Sequence, residues 1–212
     1  MRLLLLGATG LVGRTALNQA RAKEAVSEVV APTRRPLVPQ NKLVNPVNLR
    51  LGELAPLVKS WNVDAVICAL GTTKAKAGSQ EALRYVDYTL PLVFAKAAHG
   101  AGVETFALVS AIGAATNSMF FYARTKGEVE RDIQQIGFRS FAMSEDSCPV
   151  FAVVEDGCTV SVRGDTSWAR VGRSLAQNII TANKTMPYVA RSTAHPTNCC
   201  VNANAGLPSS RR

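Results

Sequence analysis

The sequence predicts an α/β protein: a doubly wound, mainly parallel sheet with helices on both faces over residues 1–144, followed by an irregular C-terminal extension over 145–212. Three observations carry that expectation. Short apolar runs alternate with helix-period segments from the first residue, as in consecutive βαβ units. The opening leucine run passes straight into Gly7-Ala8-Thr9-Gly10-Leu11-Val12-Gly13 and then into a helical pattern. Asp64 to Leu70 is a continuous run of small and β-branched residues bounded by Gly71, as a strand covered on both faces should be.

The elements follow in order. Arg2 to Leu6 is the first expected strand, and Leu11 to Ala22 the first helix, with Leu11, Val12, Ala16, Leu17 and Ala20 on one apolar face. Glu28 to Ala31 is the second strand, stopped by Pro32. Leu43 to Leu49 is expected as a short third strand and Glu53 to Trp61 as a short helix. Ser79 is placed to cap a helix running to about Tyr88, and Pro91 to start a separate helix that Gly100 and Gly102 end. Phe106 to Ser110 is the next strand, Tyr122 to Gln135 the next helix with Gly137 as its stop, and Phe138 to Met143 the sixth strand.

Beyond Ser144 the character changes, because four of the five cysteines and a Ser/Thr/Asn-rich run lie there. Val150 to Val154 and Thr159 to Val162 are expected to pair as a hairpin. Trp168, Val171, Leu175 and Ile179 fall on one helical face after Asp165, and from about Lys184 the periodicity ends.

Composition narrows the function. With 47% hydrophobic and 18% charged residues the chain is built to form a core. The opening apolar run stops at Gly7, short of a secretory leader's apolar region, and no stretch reaches the ~20 residues of a membrane span. A soluble, cytoplasmic protein without a membrane partner is therefore expected. The net charge of +9 comes from 24 basic and 15 acidic residues, and the basic ones are scattered rather than gathered on a helix face. That excludes nucleic acid as the expected partner and suits an anionic small molecule. The cysteines lack paired spacing, and Cys199-Cys200 beside His195 lacks metal-ligand spacing. Neither disulfides nor a metal are expected.

The glycines sit where the chain must turn tightly and let a pyrophosphate approach, on a helix N-terminus whose free N–H groups attract anions. Gly7, Thr9, Gly10, Leu11, Val12 and Gly13 are therefore the expected phosphate loop of a Rossmann-type nicotinamide dinucleotide site. An NAD site normally has an acidic residue about 20 positions further on, at the end of the second strand, for the ribose 2′-hydroxyl. Here that place reads Ala31-Pro32-Thr33-Arg34-Arg35. Two guanidiniums and no carboxylate favour a 2′-phosphate, hence NADP over NAD. Ala69, Leu70, Gly71 and Thr72, at the carboxyl end of the fourth strand, are expected to meet the cofactor ribose.

Tyr122 and Lys126, four residues apart on one expected helix, project from the same face. A lysine beside a tyrosine favours the phenolate and suits proton transfer. Ser110, ending the preceding strand, is placed to donate to a substrate oxygen. The spacing Gly-x-x-Gly-x-x-Gly, with Thr33-Arg34-Arg35, Leu70-Gly71-Thr72-Thr73, Val109-Ser110-Ala111 and Phe121-Tyr122 before Lys126-Gly127-Glu128, resembles the small atypical short-chain dehydrogenases related to the Tat-interacting oxidoreductase-like proteins. That resemblance covers residues 1 to about 141. It implies an NADP(H)-dependent oxidoreductase in which Ser110 polarises the substrate oxygen, Tyr122 is the acid/base, and Lys126 orients the nicotinamide ribose. The substrate would be a small carbonyl or alcohol. The alternative class is a non-catalytic dinucleotide-binding redox sensor. After Phe138-Arg139-Ser140 the likeness ends, and two readings of residues 145–212 stay open: a shift of reading frame near residue 141, or a divergent substrate cap. The oligomeric state is open as well, a homodimer included.

Overall fold

The computed structural model describes residues 1–145, 150–155 and 158–163. They form an eight-stranded sheet in the order β3-β2-β1-β4-β5-β6-β7-β8. β1 (Arg2–Leu6), β2 (Glu28–Val30), β3 (Leu43–Val44), β4 (Ala65–Cys68), β5 (Thr105–Ser110) and β6 (Ser140–Glu145) run parallel. β7 (Val150–Glu155) and β8 (Cys158–Arg163) add antiparallel at the β6 edge. The order reverses at β1, whose neighbours are β2 and β4, and in such sheets ligands bind beyond the strand ends at that reversal.

The central strands are apolar on both faces because both are covered. Leu3 and Leu5 point toward α1 (Leu11–Ala22) with Val12, Ala16 and Ala20. Leu4 and Leu6 point the other way, into a cluster with Val58, Phe94, Phe106 and Ile133. Period-2 alternation in an all-leucine strand thus feeds two cores. The second core is covered by the 3₁₀ helix Leu51–Trp61, by α4 (Leu90–Gly100) and by α5 (Phe121–Gln134).

The expected elements are present with several shifts, each with a local cause. The third strand is only Leu43–Val44, because Pro46 interrupts it before a lone bridge from Val47 to Thr33. The Glu53–Trp61 helix is a 3₁₀ helix from Leu51, with Pro56 inside it unable to donate to the preceding turn. The sixth strand starts at Ser140 rather than Phe138, because Gly137 ends the helix at φ +86° and Phe138 packs on Phe106 instead.

The largest departure lies between 79 and 100. Ser79 caps as expected, its side chain accepting from the Ala82 N–H at 3.1 Å. The helix it starts, α3 (Gln80–Arg84), does not stop near Tyr88 but passes through one π turn, Tyr85–Thr89, into α4. Pro91 is thus inside a continuous helical stretch, where it offers no N–H to the carbonyl four residues back, and the wider turn precedes it. A short helix, α2 (Lys74–Ala77), capped by Thr73, precedes α3. The expected hairpin strands are β7 and β8. The helix expected around Trp168 to Ile179, the tail from Lys184, and Cys199-Cys200 with His195 lie outside the described residues.

Candidate functional site

The turn after β1 is built from backbone contacts that only glycine permits. Gly7 has φ +83°, and a Cβ there would lie 2.3 Å from the Ala69 carbonyl oxygen. A Cβ on Gly13 would lie 2.0 Å from the Gly7 carbonyl oxygen. Gly10 differs: the nearest heavy atom to its Cβ position is Gly7 O at 3.4 Å, an ordinary contact. The fold therefore needs Gly7 and Gly13, while Gly10 leaves open the space a ligand would approach. α1 starts at that point with no side-chain cap and no acidic residue in its first turn, so its N-terminal amides face outward uncompensated.

A cleft of about 510 Å³ opens above this turn, lined by Gly7, Thr9 and Gly10, by Pro32, Thr33 and Arg34 after β2, and by Ala69, Leu70, Gly71 and Thr72 after β4. A neighbouring hollow of about 540 Å³ lies between Thr9, Arg34, Arg35 and Leu49. No carboxylate lines either one among the described residues. The loop carrying the arginines is held from below: Asn45 donates to the Ala31 carbonyl at 2.6 Å and to Thr33 Oγ1 at 2.8 Å. Of the other expected cofactor residues, Leu11 is exposed at the loop, while Val12 and Gly13 are buried under it.

Ser110, Tyr122 and Lys126 do not line the cleft directly. The Lys126 ammonium is 2% exposed and lies behind Gly71, where an added Cβ would be 3.8 Å from Nζ. It forms an ion pair with Asp87 Oδ1 at 2.9 Å and sits 6.0 Å from the Tyr122 ring centroid. Carbonyls of Val109 and Leu70 accept from it at 3.4 and 3.5 Å. Burial pulls the Lys126 pKa down most strongly, but the Asp87 and Tyr122 charges and the Asp87 hydrogen bond outweigh it, and the net shift is upward. The lysine stays charged. Ser110 departs from the expectation: it is fully buried and its hydroxyl donates to Glu130 of α5, not into the cleft. Polarising a substrate oxygen would require it to turn away from that partner.

Asp87, Asn45 and Arg50 were not legible as site residues. Asp87, in the π turn, is fully buried, and its Oδ2 accepts from the Thr72 N–H at 2.9 Å. An acid between Tyr85 and Tyr88 reads as a solvated helix residue, and no sequence signal marks its burial. Arg50 lines the cleft beside Leu49 and Leu51. Its place after a weak third strand hid it.

A glycine turn on an uncapped helix, at the reversal of a doubly wound parallel sheet and beside a basic cleft, defines a dinucleotide-binding α/β protein. The chain belongs to the NAD(P)H-binding family, which matches residues 7–139, and the likeness to short-chain dehydrogenase/reductases fits that family. Among curated proteins it is 36% identical over 140 residues to the mitochondrial protein FMP52 of Debaryomyces hansenii, covering 65% of this chain and 62% of that one. With FMP52 of Saccharomyces cerevisiae, also named mitochondrial, identity is 37% over 139 residues, covering 64% and 60%. The chain spans about three fifths of the length of the curated relatives it matches. The fold is shared with the oxidoreductase ylbE from Lactococcus lactis at a TM-score of 0.63 and 18% identity, over 92% of this chain and 93% of that one. It is also shared with the Bordetella bronchiseptica enzyme WbmG in complex with NAD, at a TM-score of 0.58 and 15% identity, over 68% and 52%.

One expectation is overturned by these relatives. Cytoplasmic placement rested on the absence of a secretory leader and a membrane span, which bear on secretion and insertion alone, whereas the FMP52 relatives are named mitochondrial proteins.

Proposed function

We propose that this protein is an NADP(H)-dependent oxidoreductase, working in the mitochondrion, that interconverts a small carbonyl and the corresponding alcohol. One observation carries this: a charged lysine is buried against Asp87 directly behind Gly71, at the floor of a cleft whose lining and neighbouring hollow hold Arg34, Arg35 and Arg50 and, among the described residues, no acid. The residues fit a dinucleotide, because the uncapped start of α1 suits the pyrophosphate and the space at Gly10 admits it. Arg34 and Arg35 would take a 2′-phosphate bidentately. The nicotinamide, when bound, supplies or accepts the hydride. Tyr122 gives or takes the proton at its hydroxyl, and Lys126, 6.0 Å from the ring centroid, supplies positive potential that favours the phenolate. Ser110 joins them when its hydroxyl leaves Glu130.

A second function is favoured by that same Ser110–Glu130 bond: a non-catalytic NAD(P)H sensor, in which the hydroxyl never faces a substrate. Tyr122→Phe separates the two. With NADPH and a panel of small aldehydes and ketones, followed at 340 nm, the oxidoreductase predicts turnover that falls by about a hundredfold or more in the variant while NADPH affinity is kept. A variant that turns over like the wild type would refute the role of Tyr122. A wild type that binds NADPH but oxidises it with no carbonyl would favour the sensor.

A further inference from the structure

We propose that Asp87 is the positioning residue of this site, one carboxylate oxygen holding the Lys126 ammonium and the other holding the Thr72 amide, so that the dinucleotide-facing loop after β4 and the Tyr122–Lys126 helix are fixed to each other. The inference deepens the oxidoreductase proposal and rests on it.

The geometry is specific to a carboxylate. Asp87 is fully buried, with Oδ1 at 2.9 Å from Lys126 Nζ and Oδ2 at 2.9 Å from the Thr72 nitrogen. The two partners come from different elements, α5 and the turn leaving β4, which the lysine otherwise reaches only through a long contact of 3.5 Å to the Leu70 carbonyl among the described residues. Gly71, between them, leaves both charges close to the cleft: its Cβ position is 3.5 Å from Asp87 Oδ1 and 3.8 Å from Lys126 Nζ. The π turn places the acid there. Tyr85 and Val86, the residues just before it, line the cleft, while Asp87 turns beneath the cleft floor. Single π turns recur at functional sites, where they re-aim side chains at a small cost in helix geometry.

Isolated burial of either charge would be unfavourable, so each requires the other. The groups that act on Lys126 include Asp87 from the π turn, Tyr122 from its own helix, Cys68 from β4, and the carbonyls of Leu70 and Val109, and the buried Glu130 lies one turn further along the same helix on the Ser110 hydroxyl. Asp87 is the carboxylate paired with the ammonium, and it opposes the desolvation that would otherwise drive the ammonium toward its neutral form. Removing it should bring deprotonation of Lys126 into the measurable pH range, and with it any contact that needs the ammonium.

The test is a double-mutant cycle on the full chain with Asp87→Asn, Lys126→Met and both together, read by thermal unfolding without nucleotide and by NADPH titration between pH 7 and pH 10. The expected result is a wild-type affinity that holds across that range and an Asp87→Asn affinity that falls at least tenfold toward its alkaline end. Lys126→Met should bind weakly at every pH, and the double variant should match it while unfolding at a higher temperature than Asp87→Asn alone. The double variant buries no unpaired charge, so it stays testable even where the single variant folds poorly. An Asp87→Asn profile parallel to the wild type overturns the inference alone, with the oxidoreductase proposal intact. An added loss on introducing Asp87→Asn into Lys126→Met overturns it too, since Asp87 would then act independently of the lysine. Wild-type protein that binds no NADPH overturns both.

Discussion

Replacing Gly13 by alanine sets two physical effects against each other. Gly13 lies in the first turn of α1, where alanine should gain about 1 kcal/mol in helix propensity. The added methyl, however, would lie 2.0 Å from the Gly7 carbonyl oxygen and 2.7 Å from its carbon. An unstrained carbon-to-oxygen approach is about 3.3 Å, so roughly 1.3 Å of movement is needed. Gly7 cannot supply it, because it is held at φ +83° with its own Cβ position 2.3 Å from Ala69 O at the end of β4. Overpacking costs ~1–3 kcal/mol, and backbone against backbone belongs at the top of that range. The net expectation is a loss of about 2 kcal/mol, or a melting temperature lower by about 4–8 °C. Urea unfolding checks it through the transition midpoint. A variant as stable as the wild type, or more so, would refute the packing argument and return the position to ordinary helix propensity. Gly10→Ala is the matched control: its nearest contact of 3.4 Å predicts a change within about 1 kcal/mol, together with at least tenfold weaker NADPH binding.

Phe94→Ala should cost about 3–5 kcal/mol by urea unfolding, since the ring is fully buried in the core beneath α4. A cost below about 1 kcal/mol would contradict that packing. Arg34→Ala and Arg35→Ala should each weaken NADPH binding by roughly tenfold or more and leave NADH binding unchanged, because a charge-assisted bond is worth ~1.5–3 kcal/mol; equal losses for both nucleotides would show that neither arginine reads the 2′-phosphate. Burial pushes the Cys68 thiol from its ordinary 9.0 up to about 11. The unfolded chain therefore ionises there first, and stability should fall as pH rises from about 9 to 11, a slope that Cys68→Ala should reduce. Mass mapping after thiol labelling should find Cys68 unmodified in native protein at pH 8, and rapid native labelling would contradict its burial.

The parts of this fold that were legible are those where local pattern and tertiary role agree. Leu3 to Leu6 and Ala65 to Cys68 are apolar at every position because both faces are covered, and no other element type explains so short a run before a glycine turn. The position of Arg34 and Arg35 beside the cleft was legible, because the loop after the second strand can be located from the sequence. Features decided by distant partners were not legible. Pro91 is an ordinary helix start until a π turn makes room for it inside a longer helix. Ser110 reads as a substrate donor from its place at a strand end, but Glu130, twenty residues on, claims its hydroxyl. Asp87 reads as a surface acid because burial depends on Lys126 arriving from another helix. Phe138 has the pattern of a strand residue, yet it packs on Phe106 and His99 before the strand begins.

Calorimetric titration of the purified chain with NADPH and, separately, with NADH tests the central claim most directly. The basic rim at Arg34 and Arg35 over an uncapped glycine turn predicts tight NADPH binding and NADH binding weaker by about tenfold or more. Equal affinity, or a preference for NADH, would contradict the assignment of those arginines, and binding of neither would contradict a dinucleotide site in this cleft.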